Sequence, residues 1–156
     1  MPLGTTHVSV KAIYDALSLL MASATLKVAL MDNSVTPSPS DSYPCWGTGG
    51  TQDYSTAEPA SAGNYVAGGF TLTSVGITQA GLVASLQANS PIAQLLSHAS
   101  NPTGIYNAAI YDDAATPKRV IIIIDLAGPI TTVNGLTIRP GGLTTGVANM
   151  FTETVS

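Results

Sequence analysis

Residues 105–126 read IYNAAIYDDAATPKRVIIIIDL, and this stretch decides the fold. Two runs rich in β-branched and aromatic residues, 105–111 and 119–126, flank a polar break made of Asp112, Asp113, Ala114, Ala115, Thr116 and Pro117. Strand, turn residues and strand in that order predict a β-hairpin. The second run is apolar at each of positions 120–124 and does not alternate. Strands covered on both faces read this way, so the run is expected in the middle of a sheet.

Working outward, residues 25–31 (TLKVALM) alternate Leu26, Val28 and Leu30 with Lys27 and Ala29, the period of a strand with one buried face. Before it, Val10, Ile13, Tyr14, Leu17, Leu20 and Met21 fall on one helical face, with Lys11, Asp15 and Ser18 opposite. This predicts an amphipathic helix over residues 8–22, with Thr5, Thr6 or Ser9 as N-cap and residues 1–6 as an N-terminal arm. The stretch ALSLLMASA (16–24) also imitates a secretory signal, although Asp15 adjoins it and only Lys11 lies upstream as a positive charge. Residues 32–64 are dominated by Pro, Ser, Gly and Thr and read as one long loop. Such a connection within a compact domain usually has a function or is disordered. Its aromatics Tyr43, Trp46 and Tyr54 suggest that parts of it dock, either on a partner or on the domain's own core.

Further strands are expected over 65–78, with a bulge at Gly68 and Gly69, over 81–88, and over 136–139 after the turn pair Asn134 and Gly135. Ser90 and Pro91 open a short helix through Leu96, since Pro suits the first helical position. Residues 144–156 form a C-terminal arm. Together these elements predict a single mainly β domain over 1–156, an antiparallel β-sandwich of jelly-roll-like or Ig-like kind, with one N-terminal amphipathic helix.

The composition narrows the function. Only 9% of the 156 residues are charged while 45% are hydrophobic, against roughly 25% charged in ordinary soluble proteins. Disorder does not fit so apolar a chain. A membrane-spanning helix needs about 20 apolar residues, and the run 120–124 stops at Arg119 and Asp125. The net charge of −4 offers no continuous counter-charge for a phosphate backbone, so no nucleic acid and no membrane are expected as partners. What remains is a surface covered by neighbouring proteins.

Catalytic groups are sparse. His7 and His98 lack a second His or Cys at metal-ligand spacing, and Cys45, the single cysteine, lies between Pro44 and Trp46 with no positive charge beside it. The hairpin could bring Asp112, Asp113 and Asp125 near one another, but adjacent strand residues point to opposite faces, and turn formation explains them more simply than cation binding. The glycine clusters match no phosphate-binding loop and no serine sits in a nucleophile elbow. No catalytic residue, metal site or cofactor is expected, and the chain reads as a non-enzyme.

The order of segments then becomes informative. LKVAL (26–30), a Pro/Ser-rich loop, YVAGGFTL (65–72), AAIYDD (108–113), VIIIID (120–125) and GLTIRPGGL (135–143) follow one another. This order resembles a family of small virion proteins of tailed bacteriophages, in which a helix precedes a strand of the type IKVALL. A Y-x-P loop, a GY-x-AGG-x-x-L segment, a YAVIYD strand, an apolar strand ending in Asp and a terminal glycine-marked element follow there. Between residues 84 and 104 this chain departs from the pattern, with SPIAQLLSHASNP where the family has a Trp-containing strand. The resemblance implies a virion structural role, a head decoration or cement protein on the outer surface of the head that bridges capsid subunits. Its partners would be the major capsid protein and further copies of itself in a symmetric homo-oligomer such as a trimer. Tyr43, Trp46 and Tyr54 are the residues expected at the interface. Alternative readings are a tail or head-fibre component and a secreted β-sandwich binding module.

Overall fold

The structure, a computed structural model, describes residues 14–16, 18, 19, 22, 24–80, 83–139 and 146–154. It is mainly β, with 42% of residues in strands against 8% in helix. The expected hairpin forms its centre. Strand β8 (Ile105–Asp112) pairs antiparallel with β9 (Arg119–Ile130), placing Ala109 opposite Ile123 and Ile110 opposite Ile122. The register then slips so that Tyr111 faces Val120, which leaves Ile121 as the extra residue of a bulge. The bulge distributes the isoleucine run. Ile121, Ile122 and Ile124 pack toward one core, whereas Val120 and Ile123 pack toward another.

Strand β1 (Leu26–Met31) lies antiparallel on the other side of β8, with Val28 opposite Ile110. Two-residue strands complete the main sheet: β2 (Pro44–Cys45), β3 (Gln52–Asp53) and β4 (Phe70–Thr71), in the order β3-β2-β9-β8-β1-β4. β2 and β3 run parallel, so the sheet is mixed and not wholly antiparallel as expected. Strands β5 (Gly76–Ala80) and β6 (Val83–Ser90) form a three-stranded antiparallel sheet with β11 (Gly146–Thr154), and β7 (Ala93–Leu95) pairs with β10 (Leu136–Ile138).

Both faces of the main sheet are buried. On the first, Leu26, Val28 and Leu30 of β1 and Ile105, Ala108 and Ile110 of β8 share a core with Leu86, Ala88, Ala93, Leu95 and Ile138 from the smaller sheets. On the second, Ala29, Met31, Ala109, Tyr111 and Val120 meet Trp46, Tyr54 and Ala57 from the long connection. β1 therefore buries two faces where the sequence pattern suggests one, with Lys27 as the interruption.

Several expectations are corrected. Residues 32–64 are not structureless: they carry β2, β3 and a 3-10 turn at Tyr54–Ala57 capped by Asp53, whose carboxylate accepts the Ser55 N–H. The segment after Pro91 is a strand and not a helix, because Ala93 and Leu95 alternate inward and their backbone pairs with β10. The C-terminal arm contains β11, which completes a ladder with β6. Gly68 and Gly69 make a left-handed turn, not a bulge, with the Gly69 N–H donating to the Val66 carbonyl at 3.0 Å. The run in β9 does lie third in the six-strand order with a core on each face, as expected, although β2 reaches it at Arg119 alone and the side chains at 121–124 are half-buried. Of the expected helix, residues 14–16, 18 and 19 are helical, with Tyr14 half-buried and Asp15, Ala16 and Leu19 exposed; positions 8–13, 17, 20 and 21 lie outside the described residues, as does the arm 1–6.

Gly69 joins the second-face connection to β1. Its φ is +71° and a Cβ there would overlap the Val28 carbonyl, so Gly69→Ala adds both backbone strain and a collision with a central strand. The expected outcome is a loss of about 1–3 kcal/mol in denaturant unfolding, whereas Gly76→Ala, which meets nothing within 4 Å, leaves the midpoint nearly unchanged.

Candidate functional site

A cavity opens on the second face, where the hairpin turn of β8 and β9 approaches the long connection. It has a volume of about 690 Å³ and is lined by Lys27, Asp113 and Lys118 on one side and Trp46, Glu58 and Tyr111 on another. The hairpin positions the charges. Asp113 follows β8 directly and its carboxylate receives the Lys27 ammonium at 2.8 Å and the Lys118 ammonium at 2.6 Å. Hydrogen bonds from Lys118 and Lys27 hold this carboxyl below the usual carboxylate range, outweighing its partial desolvation. Asp112, one position earlier, points to the opposite face, where it binds Arg119 at 2.9 Å and accepts the N–H groups of Thr25 and Ala114.

Three of the chain's five basic residues, Lys27, Lys118 and Arg119, therefore gather at one end of the sheet. Two aspartates neutralise most of that charge. The floor of the cavity is aromatic: Trp46 stacks on Tyr111 with centroids 4.9 Å apart and planes 11° from parallel. Beside it, Glu58 Oε1 accepts the Tyr65 hydroxyl at 2.7 Å and the Gly68 N–H at 2.6 Å. Tyr65 in turn accepts the Leu30 N–H at 3.1 Å, and Tyr111 donates to the Gly68 carbonyl at 2.8 Å. This network ties the connection to the middle of β1 and the end of β8. Burial, the leading cause, pushes both phenols well above their ordinary range, and the neighbouring Glu58 adds to it.

The three expected interface aromatics do not form one exposed cluster. Trp46 is 6% exposed and Tyr54 1%, both in the second core, while Tyr43 is 38% exposed. The physical reason is that Ala29 and Ala109 leave space on the second face, which the large rings fill. Tyr54 also donates a short hydrogen bond to Asp41 and accepts the Ser38 N–H at 3.2 Å. Cys45 is buried, with its thiol donating to the Gln52 carbonyl at 3.2 Å. His98 accepts the Ser100 N–H at 3.1 Å within a turn, and His7 lies outside the described residues. Asp125 caps its own turn by accepting the Ala127 N–H at 2.8 Å, so the structure does not bring it to Asp112 or Asp113. Among the described residues no three His, Cys, Asp or Glu side chains gather as a metal site would require.

Sequence reasoning missed Lys27, Glu58, Tyr65 and Tyr111. The available signal was small: two alanines inside strands mark places where large side chains from elsewhere must fit. Comparison with protein-family models, curated proteins and solved structures gives no match. No helix among the described residues is long and apolar enough to cross a membrane.

The phenol network sets an alkaline limit. A tyrosine whose folded pKa lies above its unfolded value of about 10 stabilises the fold fully below that value. The contribution is lost as pH rises toward the folded value. Ultraviolet titration should therefore show tyrosinate from Tyr65 and Tyr111 appearing together with loss of β circular dichroism. Ionisation of all six tyrosines near the ordinary value in a still-folded protein would contradict this network.

Proposed function

We propose that this chain is a non-enzymatic virion structural protein, a head decoration or cement protein of a tailed bacteriophage. It binds the outer capsid surface and stabilises the shell by bridging copies of the major capsid protein. The observation that carries the reading is the exposed apolar surface of a chain with very few charges: Leu19 is 79% exposed, Val66 and Leu96 67% each and Tyr43 38%. In the cavity beside the hairpin turn Lys27 and Lys118 pair with Asp113, and Glu58 is engaged by Tyr65 and the Gly68 N–H, so contact and not chemistry is what this surface offers. The ordered phage-like segments support the same role, and LKVAL, AAIYDD and VIIIID fall in the three central strands.

The fold that suits this role is an antiparallel β-sandwich, jelly-roll-like or Ig-like, in which the smaller sheets oppose the main sheet. The shared first core supports it, and the parallel pair β2 and β3 departs from it.

Tyr43, exposed where the long connection enters β2, is the aromatic available for shell contact. Binding of purified protein to capsids should fall about tenfold in Tyr43→Ala, with an unchanged melting temperature. Trp46→Ala should instead cost about 3–5 kcal/mol of stability. Imaging of the native particle decides the location. Recovery of the protein on tails alone would assign it to the tail or fibre and sink the head role.

A further inference from the structure

We propose that the cavity beside the hairpin turn binds a neutral saccharide, held by hydrogen bonds with no covalent bond made or broken. Its volume of about 690 Å³ falls within the range of roughly 300–1,000 Å³ usual for small-molecule sites. The walls are set before any ligand arrives. The Trp46 N–H donates to the Lys118 carbonyl at 2.9 Å, joining the hairpin to the long connection, and Tyr111 donates to the Gly68 carbonyl at 2.8 Å. A preformed site spares the ordering cost of binding.

The ligand class follows from hydrogen-bonding capacity that the fold leaves unused. On the hairpin side, Lys27 and Lys118 each contact one oxygen of Asp113. An ammonium has three donors, so both lysines keep donors for a ligand. On the side of the connection, both hydrogen bonds received by Glu58 go to Oε1, which leaves Oε2 as an acceptor. Thr48 and Thr116 line the same cavity, and no hydrogen bond within the described residues engages either hydroxyl. Each hydroxyl can donate or accept.

The charge balance disfavours ionic ligands. Lys27 and Lys118 offset Asp113 and Glu58, so the lining is formally neutral. An anion drawn to the lysines meets two carboxylates, and a cation drawn to the carboxylates meets two ammonium groups. A sugar hydroxyl donates and accepts at once, so a ring bearing several of them satisfies ammonium, carboxylate and threonine partners without bringing charge. The aromatic floor has a lesser part. Trp46 is 6% exposed and Tyr111 1%, so the rings close the floor against water and offer little face for stacking. Recognition rests on the polar walls. Sugar binding stands or falls independently of the capsid role.

Trp46 is the chain's single tryptophan, so its fluorescence reports directly on this cavity. Titration of the purified full chain with glucose, galactose, mannose and N-acetylglucosamine should give a saturable change with at least one of them. Inorganic phosphate, choline and glycine should give none. Lys118→Met should weaken the sugar response about tenfold, the worth of a hydrogen bond from a charged group. Thr48→Val should weaken it less but in the same direction. Both side chains are exposed, so the melting temperature should stay unchanged in each variant. Absence of a saturable response to all four sugars overturns the proposal, as does a response to phosphate, choline or glycine in their place, or full sugar affinity in both variants.

Discussion

A sheet that is apolar on both faces must be covered twice, and the rest of this structure follows from that requirement. Strand β8 is the pivot, flanked by β1 and β9, with Ala108 and Ile110 buried on one face and Ala109 and Tyr111 on the other. Burial of this kind stabilises by about 25 cal/mol per Å² of apolar surface. It is available only while both covers are in place. The smaller sheets cover one face. The other is covered by a connection whose composition gives it little core of its own, held by Trp46, Tyr54 and the hydrogen bonds around Glu58 and Tyr65.

The scarcity of charge and the way charge is used are two sides of one design. Ion pairs join strands and turns of the main sheet: Lys27 of β1 to Asp113 of the hairpin, and Arg119 of β9 to Asp112 of β8. These pairs are partly exposed, and their net contribution is small. What they supply is position, fixing the open end of the β8 and β9 turn against β1. Charges engaged with one another inside the chain are less available at its surface.

The hairpin was legible because strand propensity and turn chemistry agree from Ile105 to Leu126, and β1 was legible from its alternation. The second cover was not, since prolines, glycines and serines carry no period, and burial of Trp46 depends on the space beside Ala29 and Ala109. The isoleucine run was legible as a mid-sheet strand with apolar cover on both faces, whereas its bulge at Ile121 and its single pairing with β2 at Arg119 were not. Pro91 misled, because its fixed φ suits the first helical turn and the entry to a strand alike, and only pairing with β10 decides between them. Of the candidate site, Asp112 and Asp113 were visible as turn residues. Their lysine and arginine partners were visible only as a short list of scarce cations.

The central claim is that the connection 32–64 is part of the fold and not a loose loop awaiting a partner. Amide hydrogen exchange on the free protein tests it most directly. The N–H groups of Asp32, Trp46 and Thr51 donate to the carbonyls of Ala57, Lys118 and Tyr43, each at 2.9 Å. The account predicts that these amides are protected along with those of β1 and β8 and are lost in the same cooperative opening. Rapid exchange of all three while β8 stays protected would contradict it.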